Sequence, residues 1–284
     1  MSRTLAIDIG GSKTLLALVE DGHVREERRL ATNRVGDPSA WCDEIAEAAR
    51  PWRGGFTKVG AAVSGFVVDG LWSALSPATL AVRERFQLAR ELESRLGAPA
   101  ACFNDAQAAA WGEYRFGAGA GRDLVFITVS TGIGGGVVIG GKLVVGRGGL
   151  AGSAGLGRAG PTLAADRFED VAAGRWIAEQ ARAAGREGAA PAVFAAAARG
   201  QPWARRILAA SADVVANLLV NLQLLFDPPV MVIGGGVGLA PGYAEALEIG
   251  FAAQPAPVRP NLVPAALGHL AGVVGAADLA QHHA

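Results

Sequence analysis

Hydrophobic runs separated by glycine turns open two parts of the chain in the same way. The segment LAIDIGGSKTLLALVEDG, residues 5–22, reads as an apolar strand, a Gly-Gly turn, a second apolar strand and an Asp-Gly turn, which is typical of a hairpin meander. The segment LVFITVSTGIGGGVVIGGKLVV, residues 124–145, repeats this plan. Two openings of the same kind indicate an internal duplication, which can place two glycine turns facing each other across a cleft.

Helical spacing fills much of the remaining sequence. It predicts helices over the ranges 39–49, 83–97, 168–184, 191–198, 202–226 and 268–280, with a further helix starting near residue 242. Apolar runs between them predict buried strands at 58–67, 100–103 and 228–234, and a short strand near 261–265. Strands that alternate with helices favour a mixed, largely parallel α/β sheet.

Composition limits the classes of function. The chain has 284 residues, 51% of them hydrophobic, which is enough for a large buried core in one or two domains. Its 26 basic and 26 acidic residues cancel, so nucleic acid and acidic lipid are disfavoured as partners. Two cysteines are too few for a disulfide framework, and the first strand follows the N-terminus at once. We expect a soluble, cytoplasmic protein that does not bind a membrane.

Three glycine-rich turns are the main candidates for chemistry. Gly10-Gly11, the run from Gly132 to Gly136, and the run from Gly234 to Gly236 each follow a predicted strand. Glycine lets backbone N–H groups approach a phosphate closely, so three such turns together suggest a nucleotide site. None has the spacing of a P-loop or of a dinucleotide-binding turn. Taken singly, each is more simply an ordinary hairpin or strand-to-helix turn.

Two aspartates stand where a carboxylate needs an explanation. Asp8 interrupts an otherwise apolar strand, so it is either held by N–H groups of the next turn or lies near a Mg²⁺ ion, with water between them. Asp105 precedes an Ala-rich helix and is either a simple helix cap or a base that accepts the proton of an attacking hydroxyl. The residues alone leave both pairs of alternatives open.

Taken together, these motifs resemble a known family. The segments LAIDIGGSKTLLALVEDG, FNDAQAAAWGEY, VFITVSTGIGGGVVIGGKL, GGLAG and VIGGGVGLAPGY are similar to the N-acetylmannosamine kinases of the ROK family (repressor, open reading frame, kinase) over nearly the whole chain. The resemblance implies an α/β, actin-like and hexokinase-like (ribonuclease H-like) ATPase fold with two domains around a cleft. It also implies ATP with Mg²⁺, phosphorylation of a sugar 6-hydroxyl, and a homodimer.

The resemblance also implies roles for particular residues. Asp105 matches the catalytic base, and Asp8 would contact Mg²⁺ through water. The ATP-binding positions are Gly10, Gly11, Ser12 and Lys13 in the first turn, Thr131, Gly132, Gly134, Gly135 and Gly136 in the second, and Gly235 and Gly236 in the third. The sugar-binding positions are Ser64, Gly65, Thr79, Asn104, Asp105, Ser153 and Glu169.

One loop departs from the family pattern. After GGLAG the family has a Glu or His, a histidine that serves sugar and zinc, and three cysteines, whereas this chain reads SAGLGRAGPTLAADRFE. Ser153 and Leu156 replace the first two, and the cysteines are absent. We therefore predict no zinc site, and a loop ordered by packing of Leu156, Leu163 and Phe168. The identity of the sugar is less secure than the reaction, because hydrogen-bonding side chains are lost.

Three hypotheses about function and one division into domains follow. The first hypothesis is a kinase acting on N-acetylmannosamine or a related hexose or amino sugar. The second is a sugar-sensing regulator, which the absence of a helix-turn-helix segment disfavours. The third is a catalytically weak or inactive sugar-binding protein. We predict a small domain of residues 1–112 joined by the final helix, 268–284, and a large domain of residues 113–267.

Overall fold

The structure is a computed structural model that describes residues 3–33, 36–74 and 85–282. Thr79, a predicted sugar-binding residue, lies outside the described residues. The strands are β1 (Thr4–Ile9), β2 (Lys13–Glu20), β3 (His23–Ala31), β4 (Lys58–Val63), β5 (Phe66–Val68), β6 (Leu71–Ser73), β7 (Ala100–Asn104), β8 (Leu124–Val129), β9 (Ile133–Ile139), β10 (Lys142–Leu143), β11 (Val230–Gly234) and β12 (Leu262–Pro264). The α-helices are α1 (Pro38–Ala48), α2 (Leu88–Leu96), α3 (Asp105–Phe116), α4 (Phe168–Ala172), α5 (Gly174–Ala183), α6 (Ala190–Ala198), α7 (Pro202–Phe226), α8 (Gly235–Gly238), α9 (Tyr243–Phe251) and α10 (Ala271–His282).

The chain forms two compact units. Unit 1 contains residues 1–121, 136–151 and 269–284, and unit 2 contains residues 122–135 and 152–268. The final helix, α10, packs within unit 1 against α3, β1 and β4. The predicted domain limits, residues 1–112 with 268–284 and residues 113–267, stay a prediction.

The two main sheets share one plan. The first has the order β3-β2-β1-β4-β7 and the second the order β10-β9-β8-β11-β12. The last three strands in each order are parallel neighbours, whereas the first two pairs of the first sheet, β3-β2 and β2-β1, are antiparallel. In each sheet, three consecutive strands form a meander, and a parallel strand is added beside the first of them. The predicted repeat of two hairpin openings and the mixed α/β sheet are therefore confirmed.

Close packing of two helices fixes the position of α3 in unit 1. Gly112 of α3 faces α10, where an added Cβ would lie 2.6 Å from the carbonyl oxygen of Ala271. Gly275 of α10 is tighter still, because an added Cβ would overlap the carbonyl oxygen of Ala108. Glycine at both positions lets the helix backbones approach directly. The N-terminal end of α3, where Asp105 lies, is held by this contact.

The predicted helices of unit 2 are present, with one difference. The predicted helix 168–184 is broken into α4 and α5, because Ala173 adopts an extended backbone with φ −70° and ψ 169°. The predicted helix 202–226 is present as α7, which packs against α4, α6 and α9. By length and composition α7 is apolar enough to cross a membrane, but a core helix passes the same test, and 44% of its most apolar window is buried.

Candidate active site

Asp105 lies at the first turn of α3, where the sequence predicted a base or a cap. The cap is in fact Asn104, whose side-chain oxygen accepts a hydrogen bond from the N–H of Gln107 at 2.9 Å. Asp105 Oδ1 accepts from the N–H of Ala106 at 2.8 Å and from Asn104 Nδ2 at 3.1 Å. Because Asn104 performs the capping, Asp105 remains available as a half-buried carboxylate.

The amide of Asn104 joins two predicted sugar-site segments. Its Nδ2 donates to the carbonyl oxygen of Gly65 at 2.7 Å as well as to Asp105. Both amide hydrogens are therefore engaged. Gly65 has φ +122°, and an added Cβ would overlap the carbonyl oxygen of Ser73, so this position requires glycine. The carbonyl of Ser64, next to it, accepts from Trp72 Nε1 at 3.0 Å. In this conformation Asn104 positions Asp105 and Gly65, and direct contact with a sugar stays a prediction.

Asp8 belongs to the same unit and sits near the end of β1. Its strand pairs with β2 and β4, which place Leu15 and Ala62 opposite it. Gly272 of α10 faces the carboxylate, where an added Cβ would lie 3.4 Å from Asp8 Oδ2, an ordinary van der Waals contact. Gly10 and Gly11 follow, and the N–H of Gly10 donates to the carbonyl oxygen of Lys13 at 3.1 Å. The predicted first turn, Gly10 to Lys13, is thus a closed hairpin turn beside a carboxylate.

Burial raises the pKa of both aspartates. The pKa of Asp8 rises to about 7 because of burial and the nearby charge of Asp105, which the charge of Lys13 partly offsets. The pKa of Asp105 rises to about 6 because of burial, although its hydrogen bonds with Ala106 and Asn104 oppose the shift. The repulsion between these two groups disfavours ionisation of both together, and a bound cation would offset it. This arrangement fits a Mg²⁺ ion near Asp8, since hard oxygen ligands and bridging water are what Mg²⁺ prefers.

Gln107 is a residue that the sequence analysis missed. It is buried in α3, and its Nε2 donates to the carbonyl oxygens of Gly149 at 3.2 Å and Ala151 at 2.8 Å. Gly149 and Ala151 belong to the GGLAG segment, so Gln107 fixes that segment to the helix that begins at Asp105. The available signal was one amide side chain within a run of alanines, two positions after Asp105.

The second glycine run divides into two kinds of position. Gly132 closes the turn after β8, where the N–H of Ser130 donates to its carbonyl oxygen at 2.9 Å. Gly134, Gly135 and Gly136 lie within β9 rather than in the turn. An added Cβ at Gly135 would lie 2.6 Å from the carbonyl oxygen of Gly152, and one at Gly136 would lie 2.6 Å from Ala110 Cβ. Tight packing therefore explains these two glycines without a phosphate, and their ATP contact stays a prediction.

A pocket in unit 2 brings together the second and third predicted turns. Its volume is about 810 Å³, and it contains Thr131 of the second turn and Gly236 of the third. The remaining lining residues are mostly apolar: Ser130, Gly174, Arg175, Ala178, Arg182, Ala190, Pro191, Phe194, Val237, Leu239, Ala240 and Pro241. Gly235, next to Gly236, has φ +85°, and an added Cβ would overlap the carbonyl oxygen of Val129. A pocket of this size with few polar groups suits a small organic ligand.

Glu169 and Ser153 lie in the segment that departs from the family. Glu169 is in the first turn of α4, and an added Cβ at Gly132 would lie 2.9 Å from its Oε2. Its Oε1 lies 3.5 Å from Arg167 Nη1. Ser153 is half-buried and precedes a short 3₁₀ turn, Ala154–Leu156. Glu169 thus lies beside the predicted phosphate turn, within the same unit.

The loop that departs from the family pattern is ordered by backbone hydrogen bonds. The N–H of Phe168 donates to the carbonyl oxygen of Gly157 at 2.9 Å, and that of Ala159 to Asp166 at 2.9 Å. Phe168 is buried as predicted, but Leu163 is 87% exposed, so its predicted packing role is wrong. Among residues 3–33, 36–74 and 85–282, no group of three or more His, Cys, Asp or Glu side chains is placed to hold a metal ion. The absence of zinc stays a prediction.

Comparison with known proteins gives a family and relatives. The ROK family model matches residues 4–283. The chain is 47% identical over 279 residues to the bifunctional enzyme NanE/NanK of Brucella melitensis, covering 98% of this chain and 54% of that protein. It therefore spans about half the length of that relative. It is 41% identical over 285 residues to the N-acetylmannosamine kinase of Escherichia coli strain HS, covering 98% of both chains.

A solved structure shows the same fold. The ROK family glucokinase from Streptomyces griseus, in complex with glucose and AMPPNP, superimposes with a TM-score of 0.84 and 31% identity. The match covers 99% of this chain and 100% of that one. The predicted actin-like and hexokinase-like ATPase fold is therefore confirmed.

Proposed function

Because the chain belongs to the ROK family, we propose that it is an ATP-dependent kinase that phosphorylates the 6-hydroxyl of N-acetylmannosamine or a related hexose or amino sugar. The relatives named N-acetylmannosamine kinase, and the glucokinase structure with glucose and an ATP analogue, support this class of reaction. The single observation that carries it is Asp105. This carboxylate is half-buried at the start of α3, is not needed as the helix cap, and has a pKa raised to about 6.

The proposed reaction is an in-line phosphoryl transfer. Asp105 accepts the proton of the sugar 6-hydroxyl as its oxygen attacks the γ-phosphorus, and the bond from that phosphorus to the β,γ-bridging oxygen breaks to release ADP. A base with a pKa near 6 is ionised at neutral pH, yet it binds a proton more readily than an ordinary aspartate. Asn104 contributes by holding the Asp105 carboxylate at 3.1 Å.

The second requirement of this reaction is that the negative charge of the triphosphate is neutralised. Asp8 would hold Mg²⁺ through water, and Lys13, whose charge acts on Asp8, would add a second positive group. Mg²⁺, when bound, neutralises phosphate charge during the transfer. Within unit 2, the pocket that contains Thr131 and Gly236 would take the nucleotide. Gly10, Gly11, Ser12 and Gly132 stay predicted ATP-binding positions.

The sugar side of the proposal rests on Ser64, Gly65, Asn104, Ser153 and Glu169, in addition to Asp105. Ser153 presents a shorter side chain than the family's Glu or His. The sugar site would therefore accept several sugars and make fewer hydrogen bonds to each of them. Homodimer formation and a cytoplasmic location stay predictions.

The test is ADP release in a coupled assay with N-acetylmannosamine and a panel of hexoses and amino sugars. We expect turnover with at least one sugar, a 6-phosphate product, and loss of that turnover in Asp105→Asn. If no sugar causes ADP release above the Asp105→Asn level, the kinase proposal fails. Binding of both sugar and ATP without turnover would instead favour the catalytically inactive alternative.

A further inference from the structure

Two arginines line the unit 2 pocket on one face of α5. Arg175, Ala178 and Arg182 all line it, and their spacing of three and four residues places them on the same side of the helix. Arg175 and Arg182 are seven residues apart, which separates them by about 10 Å along the helix axis. The part of the pocket wall that α5 forms therefore carries one positive charge near each end of the helix.

Arg175 marks the end of the pocket that contains the second glycine turn. Its backbone N–H donates to the carbonyl oxygen of Thr131 at 3.2 Å, and the N–H of Gly174 donates to Ser130 at 2.7 Å. These two donors at the start of α5 are thus used by the turn and are not available to an anion. The Arg175 side chain supplies positive charge at this end of the pocket.

Within the part of the chain that the structure describes, Asp170 holds the Arg175 side chain and leaves most of its N–H donors unused. Arg175 Nη2 donates to Asp170 Oδ1 at 3.2 Å, which uses one of five guanidinium N–H groups. The same carboxylate is shared with Arg167, whose Nε and Nη2 donate to its two oxygens at 2.7 and 3.2 Å. One carboxylate therefore serves two guanidinium groups, and the charge of Arg175 is only partly neutralised. The Arg175 side chain is 39% exposed, so it can reach a ligand.

We propose that Arg175 binds a phosphate oxygen of the nucleotide, and that Asp170 is the residue that positions it. This inference rests on the proposed function, because it assigns the pocket to ATP. A planar guanidinium with several N–H donors matches phosphate oxygens better than an ammonium group does. Arg182 lies at the other end of the same helix face, which places it away from the phosphate turn.

The experiment measures the affinity of adenosine and of ADP by calorimetry for the wild type and three variants. Arg175→Gln should weaken ADP binding about tenfold and leave adenosine binding within twofold, because adenosine has no phosphate. Arg182→Gln removes the same charge from the same helix face and should leave the ratio of the two affinities unchanged. Arg175→Lys should recover part of the ADP affinity.

A double-mutant cycle of Asp170→Asn and Arg175→Gln tests whether Asp170 positions Arg175. Asp170→Asn alone should weaken ADP binding about threefold, and adding it to Arg175→Gln should cause no further loss. The inference is overturned if Arg175→Gln weakens ADP and adenosine equally, or weakens neither. Thermal melting establishes that each variant is folded, and Arg175→Lys replaces Arg175→Gln if the latter does not fold.

The wild type separates the two proposals. Wild-type protein that binds neither adenosine nor ADP contradicts the proposed function itself. Wild-type protein that binds ADP, with an unchanged affinity ratio in Arg175→Gln, contradicts only the role of Arg175.

Discussion

Carboxylates occur in two contrasting settings in this protein. In unit 1, Asp8 and Asp105 are half-buried beside each other, and their pKa values rise to about 7 and about 6. In unit 2, Asp170 is held by Arg167 and Arg175, and hydrogen bonding from Arg167 lowers its pKa below the usual range. The same functional group is thus made more basic in one unit and less basic in the other.

The two settings suit a carboxylate to two different roles. A carboxylate with an arginine partner stays ionised over a wide pH range and holds its partner in place, as Asp170 does. A buried carboxylate without such a partner has a pKa close to neutral pH, so it can accept a proton during a reaction. Asp8 and Asp105 both meet this criterion, and Asp105 is the candidate base because the proposed function assigns Asp8 to Mg²⁺. Glu169, whose Oε1 lies 3.5 Å from Arg167 Nη1, is the carboxylate proposed to bind the sugar.

The largest expected effect is on kcat, which should fall much further when Asp105 is replaced than when Glu169 is replaced. Asp105→Asn should lower kcat by about 10²–10⁴-fold, because it removes the proton acceptor while Asn can keep the hydrogen bonds with Ala106 and Asn104. Glu169→Gln should mainly raise the KM for sugar, by roughly threefold to tenfold, because it weakens a hydrogen bond without removing a base. Steady-state kinetics of both variants measure this split.

Sugar and ADP affinities of Asp105→Asn serve as the control and should stay within a few-fold of the wild type. A kcat loss in Glu169→Gln as large as that in Asp105→Asn would show that the arginine-paired carboxylate also takes part in the chemical step.

A second effect concerns stability. Replacing the aspartate by asparagine should raise the free energy of unfolding at Asp105 and lower it at Asp170. The pKa of Asp105 is raised from 3.8 to about 6 on folding, so its ionisation opposes folding as pH rises through this window. Asp105→Asn should therefore increase the free energy of unfolding by about 1–3 kcal/mol at pH 8 and by much less at pH 4. Urea unfolding at the two pH values measures this. A variant that is less stable than the wild type at pH 8 would contradict the burial argument.

The smallest effect is expected at Asp170. Its pKa is lowered on folding, so it stabilises the folded state above pH 3.8, and this contribution is lost as pH falls through the folded-state pKa. Asp170→Asn should reduce the free energy of unfolding by only about 0.5–1 kcal/mol at pH 7, because the ion pairs are partly exposed to solvent. A stability difference at pH 7 that becomes smaller as pH falls below 3.8 would agree with this, and a difference that grows as pH falls would not.

The sequence was informative where a local rule applied. Alternating apolar runs and Gly-Gly turns predicted both meanders, and the long apolar repeat predicted α7 from Pro202 to Phe226. Asp8 and Asp105 could be selected because a carboxylate in an apolar strand, or just before an Ala-rich helix, needs a reason. The resemblance to the ROK family supplied the rest of the candidate site.

Tertiary contacts decided what the sequence could not. In the sequence the break at Ala173 is marked by Gly174 alone, and an isolated glycine is a weak sign of a helix end. The contact that sets the break is distant in sequence, because the N–H of Gly174 donates to the carbonyl oxygen of Ser130, 44 positions away in the chain. The sequence suggested that Gly135 and Gly136 belong to a phosphate-binding turn. In the structure Gly135 packs against the carbonyl oxygen of Gly152, and Gly136 packs against Ala110 of α3. Leu163 read as a packing residue, but backbone hydrogen bonds between Gly157 and Phe168 order the loop and leave it exposed.

The pH dependence of kcat/KM for the sugar, at saturating MgATP, tests the central claim most directly. With Asp105 as the base, kcat/KM should fall about tenfold per pH unit below an apparent pKa of about 6, because the protonated carboxyl cannot accept the hydroxyl proton. The residual activity of Asp105→Asn, measured in the same buffers, controls for effects of pH on MgATP and should lack this fall. A wild-type profile that is flat from pH 5 to 8, or the same fall in Asp105→Asn, would contradict the assignment of Asp105.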